Sequence, residues 1–242
     1  MRIPRIYAAN LATINDSVML EGQAAKHLLQ VLRVKSGQPV IIFDGSGTEY
    51  HAEILTAARG SVEARVISKA TVNRESNLNI TLIQAISRGE RMDWVLQKAT
   101  ELGVASIIPV FSKRSMVKLD NKRLESRTEH WQAILAHACE QSGRNRLPAL
   151  ATPMTLTSVM SELPAGSDSY YLEPHCNSRF RQLDRSETVN LFVGPEGGFD
   201  PEEKAFMTGK GVKPVYLGPR ILRTETAGIA AIAALGVLWG DM

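Results

Sequence analysis

Cysteine is scarce in this sequence: 242 residues contain only Cys139 and Cys176. Two are too few for a disulfide framework or a cysteine-type metal centre. Cys139 falls in a helical pattern beside Ala138, where a buried, reduced thiol is expected. No His-Glu-x-x-His occurs and the five histidines are scattered, so no metal is expected. A glycine-rich loop ending in Gly-Lys-Ser/Thr is missing, which sets a P-loop aside. No Gly-x-Gly-x-x-Gly follows the first strand of the α/β part, and no serine or cysteine elbow is found. Those absences argue against the usual dinucleotide fold and against nucleophilic hydrolysis. Long apolar runs are lacking as well. Met1 to Arg5 has no signal-type apolar core, and the Ala-rich run from Ala227 to Leu238 is short and broken by Gly228 and Gly236. A cytoplasmic chain with no membrane partner is expected. There is no internal repeat and no low-complexity segment.

What is present suits a folded, soluble chain: 44% hydrophobic, 22% charged, net charge +3. A mildly basic balance permits nucleic-acid binding where the charge clusters. Residues 1–71 read as a small β-barrel. Val40 to Phe43 is followed by the turn Asp44-Gly45-Ser46-Gly47, then by strand-like Glu49 to Leu55, Arg59-Gly60, and the alternating Val62 to Ile67. One helix interrupts, with Ala24, Ala25, Leu28, Leu29 and Leu32 on one side. Val72 to Asn77 is a polar linker, so the second domain is expected over residues 72–242.

Beyond the linker, apolar runs alternate with helical patterns, which predicts an α/β domain with a largely parallel sheet covered on both faces. Strands are expected at Leu78–Ile86, Val104–Val110, Tyr170–Leu172, Leu191–Val193 and Val215–Leu217. A capping box at Ser87 to Glu90 is expected to open a helix with Met92, Val95, Leu96, Ala99 and Leu102 inward. Further helices are expected over Glu129–Ser142, after the cap Asp200-Pro201-Glu202-Glu203, and over Thr226–Trp239.

Two segments carry the chemistry. Gly194-Pro195-Glu196-Gly197-Gly198-Phe199 and Leu217-Gly218-Pro219-Arg220-Ile221-Leu222-Arg223-Thr224-Glu225-Thr226-Ala227 each begin where a short apolar run stops. Loops at strand ends are where open α/β sheets build ligand sites. Taken alone, the first is equally a tight turn into a capped helix. Arg220 and Arg223 beside Glu225 are more charge than a simple turn needs.

Together the two loops resemble those of the SPOUT methyltransferases. Met1 to Tyr7, Ser87 to Met92, Gln97 to Gly103, Ala138 to Arg144 and both loops resemble, more narrowly, the bacterial 16S ribosomal RNA uridine-N3 methyltransferases. The likeness runs nearly end to end and is weakest over residues 151–189. It implies a PUA-like barrel, a C-terminal α/β domain tied in a trefoil knot, a homodimer, and S-adenosyl-L-methionine as cofactor with no metal. The partner it implies is 16S rRNA or the small ribosomal subunit.

On that resemblance, Leu172, Gly194, Glu196, Gly197, Gly198, Leu217, Gly218, Leu222, Thr226 and Ala227 are the expected cofactor contacts. Arg220, Arg223, Glu225 and Glu196 are the expected catalytic set. N3 of uracil is a poor nucleophile until its proton leaves, so a base or charge-stabilising cations are needed. Arg220 and Arg223 suit the carbonyl oxygens; Glu196 or Glu225 takes the proton or anchors the arginines. Arg2, Arg5, Arg33, Arg88 and Arg144 are the expected RNA contacts, with Lys113, Arg114, Lys118, Lys122, Arg123 and Arg127 as further candidates. Two other readings stay open: another nucleoside or a ribose hydroxyl as target, and an RNA-binding protein without chemistry.

Overall fold

The structure is a computed structural model that describes residues 3–9, 11, 13–14, 16–58, 60–115, 121–163 and 166–242. The chain splits into two compact units. One is Met1–Glu75 with Ala136–Leu147; the other is Ser76–Leu135 with Pro148–Met242. The segment Ala136–Leu147 clusters with the N-terminal unit, which no linear division contains.

The N-terminal unit is built on a six-stranded sheet. Its strands are β1 (Arg5–Tyr7), β2 (Thr13–Ile14), β3 (Ser17–Leu20), β4 (Pro39–Phe43), β5 (Thr48–Ala58) and β6 (Ser61–Thr71), ordered β1-β4-β5-β6-β3-β2. β1 pairs parallel with β4 and the other ladders are antiparallel. No ladder joins β2 to β1 among the described residues, so the expected closure of the barrel is not made by backbone pairing there. The Asp44–Gly47 turn joins β4 to β5 as expected, and the Asp44 carboxylate accepts the Ser46 amide at 2.9 Å. Alternation buries Val40 and Ile42, Ala52 and Ile54, Val62 and Ala64 in one core with Ile6, Leu20 and Leu28. α1 (Gly22–Lys26) runs into a π-helical turn, His27–Val31, where the sequence pattern suggested one plain helix.

The second unit has a seven-stranded, all-parallel sheet. Its strands are β7 (Asn79–Ala85), β8 (Ser106–Phe111), β9 (Ala149–Leu150), β10 (Met154–Thr155), β11 (Asp168–Leu172), β12 (Thr188–Val193) and β13 (Lys213–Val215). The order is β10-β8-β7-β12-β11-β13, with β9 also on β8. The helices are α2 (Glu90–Glu101), α3 (Asn121–Ser142), α4 (Leu156–Glu162), α5 (Pro201–Gly209) and α6 (Thr224–Trp239). Both faces are covered, as the apolar runs require. Leu82 and Leu191 face a core with Val95 of α2, Trp131 of α3 and Leu235 of α6. Ile83 and Phe192, one residue along, face a second core with Val159 of α4 and Met207 of α5.

Helix starts show where local chemistry was and was not sufficient. Asp200 caps α5 by accepting the Glu202 amide, and Glu203 closes the capping box. At α2 the expected box is not made. Gly89, at φ 59°, is the N-cap with no side-chain bond, and Ser87 is buried behind it. α3 begins earlier than expected, and its last turns carry Cys139, whose thiol burial pushes up to about 12, an inert group.

Candidate active site

Parallel strands β12, β11 and β13 are neighbours, so their carboxyl ends open on one side. β12 stops at Val193 and the chain turns through Gly194–Phe199 into the α5 cap. The Gly198 amide donates to the Pro195 carbonyl at 2.8 Å, and Gly198 sits at φ 66°, where a side chain is strained. Gly194 is packed from behind. A Cβ there would lie 3.1 Å from the Phe199 nitrogen and 3.3 Å from the Gly198 carbonyl carbon. β13 ends at Val215, and residues 216–223 lead back to α6, which packs on α2, β12 and β7.

Thr224 ties these loops together. Its hydroxyl donates to the Gly194 carbonyl at 2.6 Å and accepts from the Gln84 amide nitrogen at 3.1 Å. Thr224 and Gln84 are both buried, so this link between the two bends lies away from solvent.

Between the loops lies a cavity of about 570 Å³. That volume is in the range of small-molecule sites. Leu172, Val193, Val215, Leu217 and Leu222 give it apolar walls, and the two glycine-bearing bends give it exposed main chain. Of the expected cofactor contacts, Leu172, Gly194, Glu196, Gly197, Gly198, Leu217, Gly218, Leu222 and Ala227 line it. Thr226 does not. It is exposed on the first turn of α6, where its neighbours Glu225 and Ala227 face the cavity instead.

All four expected catalytic residues, Glu196, Arg220, Arg223 and Glu225, line the cavity. Their environments differ. Glu196 is held by the Arg91 guanidinium at 2.6 Å. Burial pushes its carboxyl up, but its own amide, Arg91 and the Arg88 amide outweigh that and hold it below the usual range. Glu196 is thus a committed anion. Glu225 differs: its Oε2 is buried with no hydrogen-bond partner. A buried carboxylate oxygen left unmatched is costly and calls for a partner. Arg220 and Arg223 are exposed at the rim.

Several lining residues had no signal in the two loop motifs. Arg91 reaches in from α2. Lys204 of α5 pairs with Glu173 at 2.5 Å, and His175 follows on the same loop. Helix residues of this kind are legible only once the helices are placed.

The expected RNA contacts divide sharply. Arg5 is buried. Its guanidinium donates to Glu49 at 2.9 Å and to the side-chain oxygen of Asn145, and lies 5.1 Å over the Phe43 ring. Arg144 is buried and paired with Glu75. Both guanidiniums are consumed inside the N-terminal unit, so neither is presented to a phosphate. Arg33 is exposed, as are Lys26 and Lys35. Arg88 is exposed beside the Glu196 loop. Arg2 and Lys118 lie outside the described residues, as does the Lys122 side chain. Lys113 and Arg114 are engaged at the α5 start, by Glu202 and by the Gly197 carbonyl.

The comparisons agree with this geometry. The family described as RNA methyltransferase domain matches residues 74–236, and the RNA methyltransferase PUA domain matches residues 20–67. The Ribosomal RNA small subunit methyltransferase E of Buchnera aphidicola subsp. Schizaphis graminum is 34% identical, over 100% of this chain and 98% of that one. The enzyme of the same name from Neisseria gonorrhoeae, solved with S-adenosyl methionine bound, superposes with TM-score 0.92 at 38% identity over the whole of both chains. A Legionella pneumophila chain, solved with the cofactor SAM bound, gives TM-score 0.96 at 39% identity, again over the whole of both chains. No helix among the described residues is long and apolar enough to cross a membrane.

Proposed function

The chain belongs to the RNA methyltransferase family and carries that family's PUA domain; on that premise we propose that it methylates N3 of a specific uridine in 16S ribosomal RNA, with S-adenosyl-L-methionine as donor. One observation carries the chemistry. The cavity between the two bends combines apolar walls and glycine backbone with two lining carboxylates, Glu196 and Glu225, and a rim of two exposed arginines.

The residues present fit the cofactor. Its adenine suits the walls made by Leu172, Leu217 and Leu222, and its polar groups suit the main chain at Gly194, Gly197, Gly198 and Gly218. When bound, the sulfonium supplies an electrophilic methyl carbon and needs no Lewis acid. The remaining work falls to the protein. Glu225 accepts the N3 proton of the uracil. Arg220 and Arg223 stabilise the negative charge that spreads onto the flanking carbonyl oxygens. Glu196 is an anchor, holding Arg91 and the Arg88 amide at the cavity wall.

RNA recognition is assigned to the barrel-like part, residues 1–71, with Lys26, Arg33 and Lys35 as phosphate contacts and Arg88 near the cavity. The same family reading includes a cytoplasmic homodimer and a trefoil knot. Exposed Trp94 on α2 and Ile221, Val237 and Leu238 on and before α6 support self-association. The return of the chain from edge strand β13 to lay α6 on β12 and β7 supports the knot.

The test is methyl transfer to small-subunit RNA by Glu225→Gln and Glu196→Gln at several pH values. Glu225→Gln is expected to lose about 10²–10⁴-fold in turnover with cofactor affinity retained. Glu196→Gln is expected to change affinity more than the pH profile. Unchanged turnover in Glu225→Gln removes it as the base.

A further inference from the structure

The N-terminal unit holds a cluster that methyl transfer does not use. His27 opens the π-helical turn, which closes when the Leu32 amide donates to the His27 carbonyl at 3.0 Å. π-Turns of this kind recur at functional positions. His137 and Glu140 are three residues apart on α3 and share a helix face. One donor atom from each of His27, His137 and Glu140 lies within 4.8 Å of the other two.

Nδ1 of His27 is 3.2 Å from Oε2 of Glu140, yet both atoms are buried and neither is in a hydrogen bond. The other carboxylate oxygen, Oε1, accepts the Tyr7 amide at 2.9 Å, which fixes the group in place. The His27 and His137 rings are 5.1 Å apart, centre to centre, and tilted by 51°.

We propose that His27, His137 and Glu140 bind a divalent transition-metal ion, with zinc the best match. Two imidazole nitrogens and one carboxylate oxygen form a donor set that Zn²⁺ accepts, with a fourth position left for water. Tetrahedral ligands about 2.1 Å from zinc sit about 3.4 Å from one another. His27 and Glu140 are already near that spacing, and a donor nitrogen of exposed His137 lies within 4.8 Å of both. Calcium and magnesium are poor matches because they need several oxygens.

Burial lowers the pKa of His27, which favours the neutral imidazole with a lone pair to donate. It raises that of Glu140, because an ionised carboxylate is costly there, and a cation beside that carboxylate would offset the cost. The bound ion would fasten the π-turn to the last turns of α3. No metal was expected from the sequence, because the ligands come from distant segments and meet only in the fold.

The experiment uses the untagged full-length chain after chelator treatment, titrated with ZnCl₂ by calorimetry and with CoCl₂ by visible absorption. Expected are one Zn²⁺ per chain, the d–d bands of tetrahedral Co²⁺, and a raised Tm with zinc. His137→Ala changes an exposed residue and is expected to keep the fold and its S-adenosylmethionine affinity. It should weaken zinc by at least about tenfold and abolish the cobalt bands; His27→Gln should do the same. Absence of zinc binding by the parent chain overturns the proposal. Zinc binding that survives both substitutions overturns it too.

Discussion

Gly194→Ala probes the cavity at its tightest point. Gly194 does not have a positive φ, so alanine's backbone is allowed there and the whole cost is steric. The new methyl would lie 3.1 Å from the Phe199 nitrogen and 3.3 Å from both the Gly198 carbonyl carbon and a Phe199 ring carbon. Ordinary contact for carbon is about 3.5–4.0 Å. Two of those neighbours are backbone, so the bend itself must open by a few tenths of an ångström. The Gly194 carbonyl is also the acceptor for Thr224, so the second bend is dragged with the first. Overpacking of this kind costs about 1–3 kcal/mol. If that strain falls on the bound state, affinity for S-adenosylmethionine drops by about 5- to 150-fold.

Gly209→Ala is the matched control, since it lies on α5 outside the cavity and its methyl would meet nothing within 4 Å. Calorimetric titration of both variants with the cofactor reads the difference, and thermal unfolding shows that both are folded. Gly194→Ala binding as tightly as the parent, or Gly209→Ala losing as much, refutes the reasoning.

Three further outcomes are expected. Burial raises the Glu49 carboxyl, but hydrogen bonds from Arg5, Arg74 and Asn145 outweigh it and bring its pKa down to about 2, from 4.5. A depressed carboxyl stabilises the fold above its unfolded value and loses that contribution as pH falls through the folded one. Denaturant titration should therefore show roughly 3 kcal/mol disappearing between about pH 4.5 and 2, and Glu49→Gln should flatten that slope; an equal slope in the variant contradicts the assignment. Arg33→Ala with Lys35→Ala should weaken RNA binding and reduce its salt slope by about 1 for each phosphate no longer neutralised, with cofactor affinity unchanged; an equal drop in both affinities would count against separate RNA recognition. Sedimentation velocity should show a dimer for the parent chain and a shift toward monomer for Val237→Asp with Leu238→Asp; a parent that sediments as a monomer ends the dimer reading.

How much of this was legible in the sequence depended on how local its causes are. Apolar runs of strand length between helical patterns announced the parallel sheet, because burial on both faces leaves no alternation. Asp200-Pro201-Glu203 announced α5, because a cap is made within four residues. The two glycine bends were visible for the same reason. Arg5 and Arg144 were misplaced because a charge pattern cannot say whether a guanidinium meets Glu49, Glu75 or Asn145 across the fold. Ser87 to Glu90 has the composition of a capping box, yet Gly89 takes the cap in a backbone shape open mainly to glycine. β9, β10 and α4 are too short for a periodic signal. The unit made from two separate segments, and the His27–His137–Glu140 cluster within it, depend on tertiary placement alone.

The central claim is tested most directly by identifying the methylated nucleoside. Purified chain is incubated with methyl-labelled S-adenosylmethionine and small ribosomal subunits or their RNA, and the RNA is digested and separated by liquid chromatography with mass spectrometry. Label in a single new nucleoside, 3-methyluridine, is the predicted result. Label on a ribose hydroxyl, on another base, or on no nucleoside at all would contradict it.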